Sequence, residues 1–405
     1  MTDSVRIREL AEVNPSVPEF DAASDSTHVT FVPLEAVWPA GRLDLSRSRP
    51  KSEVATGYVR FREGDVLVPK VTPTFQAARS ALAVNVPTGI GAASTEVHTV
   101  RVRPGNDPRY VMYGFHTEPF LAEGVTAFQG VAGLQRVPDL FLRNFRIRRR
   151  ALDEQRRVAD FLDDQVARID EVIRLREEQL SLLGKRRRGT VDAAFAASES
   201  MKPTRIKNLL AARPRYGVLV PKYVDGGVPY IRVGDLPSLG TPGLDLPTIT
   251  PGQSLEFSRT QIRGGEVLLG VVGKMGTAAV APSSLAGANV ARAVAVLSCL
   301  NAEDAPLLSA WFGSTHFMDQ ATLATSGDSV QPTLGMGDLA AFSVCWPRDP
   351  SQAVRKLGST LERISALCNE VRCQIELLQE RKRSLITAAV TGEFDVASAS
   401  GRGVA

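Results

Sequence analysis

Several fragments of catalytic motifs occur in this sequence, and none is complete. Gly270-Val271-Val272-Gly273-Lys274-Met275 has the look of a phosphate cradle. Such a loop needs four residues between its glycines and a hydroxyl after the lysine, so this one fails on both counts. Glu380-Arg381-Lys382 has the acid-x-Lys spacing of a magnesium nuclease, but it falls in an amphipathic helical stretch and reads as solvated helix surface. Asn14-Pro15-Ser16-Val17 lacks the second proline and the aromatic with which a DNA methylase grips a flipped base. No Gly-x-Ser-x-Gly elbow is present. The four histidines form no spaced pair, and the four cysteines, all in the second half, form no CxxC. Metal chemistry and a disulfide framework are therefore disfavoured, and the thiols are expected to be reduced and structural.

Recognition chemistry is better represented. Lys70, Thr72, Thr74, Gln76 and Arg79 surround Phe75 just after an apolar run, and Gln135 and Arg136 follow later. Cations, hydroxyls, amides and an aromatic together are the inventory that touches phosphates and base edges. A parallel set in the second half is Arg232, Lys274, Thr277, Asn289, Arg292, Gln331 and Thr333. Arg143, Arg146, Arg148, Arg149, Arg150, Arg156 and Arg157 form a dense strip whose planar donors suit phosphate oxygens and would suit an acidic protein surface as well. Lys185 to Arg188 read as favourable cations at a helix C-terminus.

The elements that must carry these residues repeat. Arg168-Ile169 and residues 179–194 return 195 positions later as Arg363-Ile364 and residues 374–389. Both copies place apolar residues at alternating steps of four and three, the seam of a coiled coil. The first seam is Leu162, Val166, Ile169, Ile173, Arg176, Leu180 and Leu183; the second is Leu357, Leu361, Ile364, Cys368, Val371, Ile375 and Leu378. Each helix can partner the other, and ~38 residues at ~1.5 Å each give a spacer of ~57 Å.

The segments before the helices repeat more loosely. Phe61 to Val68 and Ile262 to Leu269 each carry a Gly-acid turn entering an apolar run. Val97 to Arg103 alternates as a half-buried strand should, and Val290 to Leu297 occupies the equivalent place. Gly133-Leu134-Gln135-Arg136-Val137-Pro138 stands where Ser329-Val330-Gln331-Pro332-Thr333 stands later. Residues 196–203 combine small polar residues with a proline and mark a boundary.

At 405 residues, with 43% hydrophobic and 23% charged, the chain is globular and of two-domain size. The expected fold is α+β: strand-rich domains at 1–150 and 199–350, long helices at 151–198 and 351–396 pairing antiparallel, and a flexible tail at 397–405. No apolar run is long enough to span a membrane and no leader pattern opens the chain, so a cytoplasmic protein is expected. The net charge of +4 permits a polyanionic partner without requiring one.

Together these residues resemble the specificity subunit of a type I restriction-modification enzyme over nearly the whole chain. Gly57-Tyr58-Val59-Arg60-Phe61-Arg62-Glu63-Gly64-Asp65-Val66-Leu67, Lys70-Val71-Thr72-Pro73, Ser94-Thr95-Glu96-Val97-His98 and Gln135-Arg136-Val137-Pro138 resemble one class of its target-recognition domains. Glu154-Gln155-Arg156-Arg157-Val158, Phe161-Leu162-Asp163, Arg168-Ile169-Asp170 and the closing Ala388-Ala389-Val390-Thr391-Gly392-Glu393-Phe394-Asp395 resemble its helical spacers. The sequence departs from the family pattern where Arg148-Arg149-Arg150-Ala151 replaces the usual prolines and where the second copy reads Pro350-Ser351-Gln352.

The resemblance implies a non-catalytic reader of double-stranded DNA that recognises a bipartite, asymmetric target, one half per domain. It also implies two methyltransferase subunits, which bring S-adenosylmethionine, and restriction subunits that translocate and cleave, which bring ATP and magnesium. This chain itself is expected to bind no cofactor. The rival reading is a coiled-coil adaptor whose strand-rich domains recognise proteins.

Overall fold

The computed structural model describes residues 4–38, 41–130, 135–241, 243–273, 275–326 and 332–396. Lys274, Gln331 and the 397–405 tail lie outside them. The fold is a mixture of helix and sheet with two strand-rich regions and two long helices, Leu152–Ala194 and Pro350–Thr391. At 43 and 42 residues these exceed the ~38 residues taken for the spacer and fall short of the ranges 151–198 and 351–396, and no proline interrupts either interior. The chain divides into two units, Met1–Glu177 with Arg372–Ala405, and Glu178–Val371.

In the first unit a four-stranded sheet runs in the order Ala11–Val13, Val97–Val102, Asp65–Pro69, Ala81–Leu82, all antiparallel. A second sheet runs Ser48–Pro50, His28–Val32, Ile90–Ala93, Val59–Arg62, with His28–Val32 and Ile90–Ala93 parallel. Ser4–Arg6 and Arg146–Arg148 close the unit as an antiparallel pair. Gly64, at φ +84°, makes the turn that sends the chain from one sheet into the other, a conformation that favours glycine.

The second unit repeats most of this topology, its second sheet having three strands among the described residues. Arg215–Tyr216, Val294–Leu297, Val267–Gly270 and Ala278–Val280 form its four-stranded sheet, and Thr248–Ile249, Tyr223–Ile231 and Asn289–Val290 form its second sheet, again with one parallel pair. Met201–Arg205 pairs with Ser343–Pro347 to close it, so the boundary read at 196–203 ends inside a strand. The single strand expected over 290–297 is two. Ala291 N donates to Ile231 O and Val294 N to Ala291 O, and that turn carries the chain between sheets.

Each core is aromatic in the same places. Phe120 packs on Phe115 and Phe145 at ring separations of 5.0 and 4.9 Å, and Phe317 packs on Phe312 and Phe342 at 5.0 and 5.9 Å. Every such ring is buried, each worth roughly 1.5–3 kcal/mol of transfer free energy.

The seam residues lie inward. Leu162, Val166, Ile173, Leu183, Leu357, Ile364 and Val371 are buried, and Ile169, Leu180, Leu361, Ile375 and Leu378 are half-buried. Within the first unit the two helices run antiparallel: the Phe161 and Phe394 rings lie 5.6 Å apart, and Lys382 Nζ donates to Asp170 at 2.6 Å. Lys382 is therefore not solvated surface, as its sequence position suggested, because a carboxylate on the facing helix holds it. Within the second unit Val191 and Phe195 share a core with Leu357.

The arginine strip is largely committed within the first unit. Arg148 Nη1 donates to Thr391 O and Gly392 O at 3.2 Å, and Arg150 Nη2 donates to Ala389 O at 3.0 Å while pairing with Glu154. These are the unsatisfied carbonyls of a helix C-terminus, which attract cations. Arg146 bonds Ser4, and Arg143 pairs with Asp139. Gly392, at φ +83°, ends the helix where a Cβ would meet the Arg148 guanidinium at 1.7 Å.

Candidate nucleic-acid interface

The strand Asp65–Pro69 delivers Lys70 to a short ladder. Lys70 N donates to Glu96 O, Val137 N to Lys70 O, and Thr72 N to Gln135 O, at 2.9, 2.9 and 3.1 Å. Val71 and Arg136 face each other across it. Lys70, Thr72, Gln135 and Arg136 are thus brought together from distant parts of the first unit. Thr74 Oγ1 donates to Val71 O at 2.6 Å and closes the following turn. Phe75 anchors that turn in the core, seated over Gly124, where a Cβ would lie 2.2 Å from its ring. Gln76 follows exposed and Arg79 half-buried.

Groups that the recognition set left out hold this ladder. Glu96 accepts from Arg136 Nε and Nη2 at 2.7 Å each, and those bonds hold its carboxyl below the ordinary range. Burial pushes the half-buried Lys70 ammonium down despite Glu96 nearby. His98, buried, donates from Nε2 to Val137 O at 3.0 Å, while Asn14 Nδ2 lies 3.2 Å from its Nδ1. Burial lowers the His98 pKa. Behind them Asp65 takes both arms of Arg101 at 2.8 Å. The motif Ser94-Thr95-Glu96-Val97-His98 contained two of these residues, but strand alternation alone does not say which carboxylate meets which guanidinium.

The second unit builds the same ladder. Val271 N donates to Ala293 O, Leu334 N to Val271 O, and Val272 faces Thr333. Lys70, Glu96 and Arg136 therefore correspond in register to Val271, Ala293 and Thr333. Thr277, half-buried, accepts at its carbonyl from Gly270 N and lies at the same strand end. Arg292 is exposed beside Ala291, whose N–H meets Ile231 O, so the backbone of Arg232 is its neighbour. Arg232 itself is held by Asp235 through Nε and Nη2, both at 3.0 Å. Asn289 does not reach the surface: it is fully buried, accepts from Ser254 Oγ at 2.6 Å and donates to Phe257 O at 3.3 Å.

Among the described residues no group of His, Cys, Asp and Glu could hold a metal, and no helix is long and apolar enough to cross a membrane. The four cysteines are free, with Cys299 pushed up to about 12 by burial.

Comparison with known proteins meets the resemblance read from the sequence. The type I restriction enzyme EcoAI specificity subunit of Escherichia coli is 30% identical over 158 residues, 38% of this chain and 26% of that protein. The EcoEI specificity subunit of the same species is 27% identical over 172 residues, 40% of this chain and 28% of that protein. The chain thus spans little more than a quarter of the curated relatives it matches. A solved chain from work on complex assembly and conformational transition of the type I R-M system aligns with TM-score 0.67 at 18% identity, covering 96% of this chain and 98% of that one. That likeness establishes a shared fold. No protein-family model matches the chain.

Proposed function

We propose that this chain is the DNA-reading specificity subunit of a type I restriction-modification assembly. The observation that carries the reading is the duplicated unit, each copy presenting a differently furnished ladder from the same backbone frame. Two such readers suit a bipartite, asymmetric target, one half per unit. The long helices, with their shared seam phase, fix the gap between halves. The chain performs no chemistry of its own. Two methyltransferase subunits supply S-adenosylmethionine and modify adenine, and restriction subunits supply ATP- and magnesium-dependent translocation and cleavage.

The reading is tested by methylation-sensitive sequencing of a host carrying the chain with its neighbouring methyltransferase, beside a host lacking only this chain. Methyladenine at one split motif is expected to disappear with the chain. Exchange of residues 1–150 for another recognition domain is expected to change one half of that motif only. Change in both halves or in neither would sink the assignment. Binding of the complex to duplex DNA should fall steeply with salt as counterions are released; a flat response would favour the protein-binding adaptor instead.

A further inference from the structure

The ladder of the first unit holds one side chain in a posture that backbone packing does not require. Arg136 is exposed over 45% of its side chain, yet its guanidinium is fixed edge-on by Glu96, itself 24% exposed. A guanidinium has five N–H donors, and this carboxylate takes one from Nε and one from Nη2. The three that remain sit on Nη1 and Nη2, the pair at the tip, and form a planar fork.

Resting on the reader role proposed above, we infer that Arg136, positioned by Glu96, reads a guanine in the half-site recognised by the first unit, its fork meeting the O6 and N7 acceptors in the major groove. A guanine edge presents two neutral acceptors at the spacing of such a fork. A phosphate oxygen pair would fit the spacing too. Glu96, however, cancels the charge that makes arginine attractive to an anion and adds a repulsive one beside it. What the pair retains is direction, which a base edge uses and a phosphate does not need. Pre-orientation also removes much of the rotamer entropy that a free arginine loses on binding.

The second unit makes the comparison internal. Its equivalent positions carry Thr333 and Ala293, with no fork and no carboxylate to aim one. Guanine reading from this ladder position belongs to the first unit alone, and the two half-sites differ in chemistry at the corresponding place.

The experiment is methylome sequencing of hosts carrying the complete system with the wild-type chain, Arg136→Ala, Arg136→Lys or Glu96→Gln. The wild-type motif is expected to contain a G·C pair that Arg136→Ala renders degenerate, with discrimination there falling roughly 5- to 150-fold and the other half unchanged. Arg136→Lys keeps the charge without the fork and covers the case of a misfolded alanine variant; it should lose the same discrimination. Glu96→Gln should weaken discrimination several-fold at that one base pair.

Full wild-type discrimination in Arg136→Lys would overturn the inference. So would a uniform drop across all sequences in Arg136→Ala, which marks a phosphate contact, or in Glu96→Gln, which marks a merely structural role. A wild-type methylome without any split motif would overturn the reader role itself, a result distinct from these.

Discussion

The two units share a frame and differ in what fills it. Strand order in the four-stranded sheet, the parallel pair and the ladder hydrogen bonds coincide, yet Lys70, Glu96, Arg136 and His98 stand where Val271, Ala293, Thr333 and Ala295 stand. Backbone hydrogen bonds and buried aromatics do not depend on which side chains point outward from the ladder. The frame can therefore persist while its surface chemistry changes, which is what a protein needs if two copies of one fold are to read two different things.

The sharpest contrast lies beneath the ladder. Asp65 is buried to 1% with Arg101 as its bidentate partner. Its counterpart Glu266, also buried, accepts from Arg263 N at 2.9 and 3.1 Å just as Asp65 accepts from Arg62 N at 2.9 Å, but Ser298 follows Leu297 where Arg101 stands in the first unit. Removing one partner of a buried pair strands the other charge, so Arg101→Ala should destabilise the first unit by roughly 3–5 kcal/mol. Ser298→Ala should cost less than about 1 kcal/mol in the second. Hydrogen exchange read by mass spectrometry resolves the two units; equal losses would break the contrast.

Acid should separate the units next. His116 is fully enclosed, donates from Nε2 to Ser80 O at 2.8 Å, and is lowered by burial from 6.5 to about 4; Gly313 stands in its place ahead of the second unit's corresponding helix. The folded first unit therefore binds fewer protons than the unfolded chain at pH between these values. The stabilisation is full above 6.5 and is lost as pH falls toward 4. At pH 5 the loss amounts to about 2 kcal/mol. Exchange protection measured at pH 7.5 and 5.0 should fall in the first unit, and His116→Gln should reduce that dependence, leaving the part that the buried His98 contributes. A fall confined to the second unit would contradict the assignment.

How much of this was legible beforehand follows from what period and residue type encode. The seams were readable because a coiled-coil stripe is a property of spacing alone, and every apolar residue assigned to them is buried or half-buried. The Gly-acid turns were readable because Gly64 and Gly265 adopt positive φ. Asn289 was not, since a short polar residue beside a strand looks the same whether it faces solvent or, as here, satisfies Ser254 and Phe257 inside. The arginines at 148 and 150 also misled. Their density serves helix carbonyls more than 200 residues away in sequence, a pairing that no local pattern reports.

The smallest predicted difference concerns how each ladder is pinned. His98 Nε2 reaches Val137 O at 3.0 Å from within the core, whereas Tyr216 Oη reaches the equivalent carbonyl, Leu334 O, at 3.0 Å from a side chain that is 37% exposed. Water can replace a lost donor at an exposed site but not at an enclosed one, so the two bonds should differ in worth although their lengths agree. His98→Leu should cost about 1–3 kcal/mol and speed exchange of the Val137 amide, which donates to Lys70 O. Tyr216→Phe should cost below about 1 kcal/mol and leave the Leu334 amide nearly as protected as before. If Tyr216→Phe proved the costlier of the two, the carbonyl in the second unit would have to be closed to water, and the ladders would be pinned alike after all.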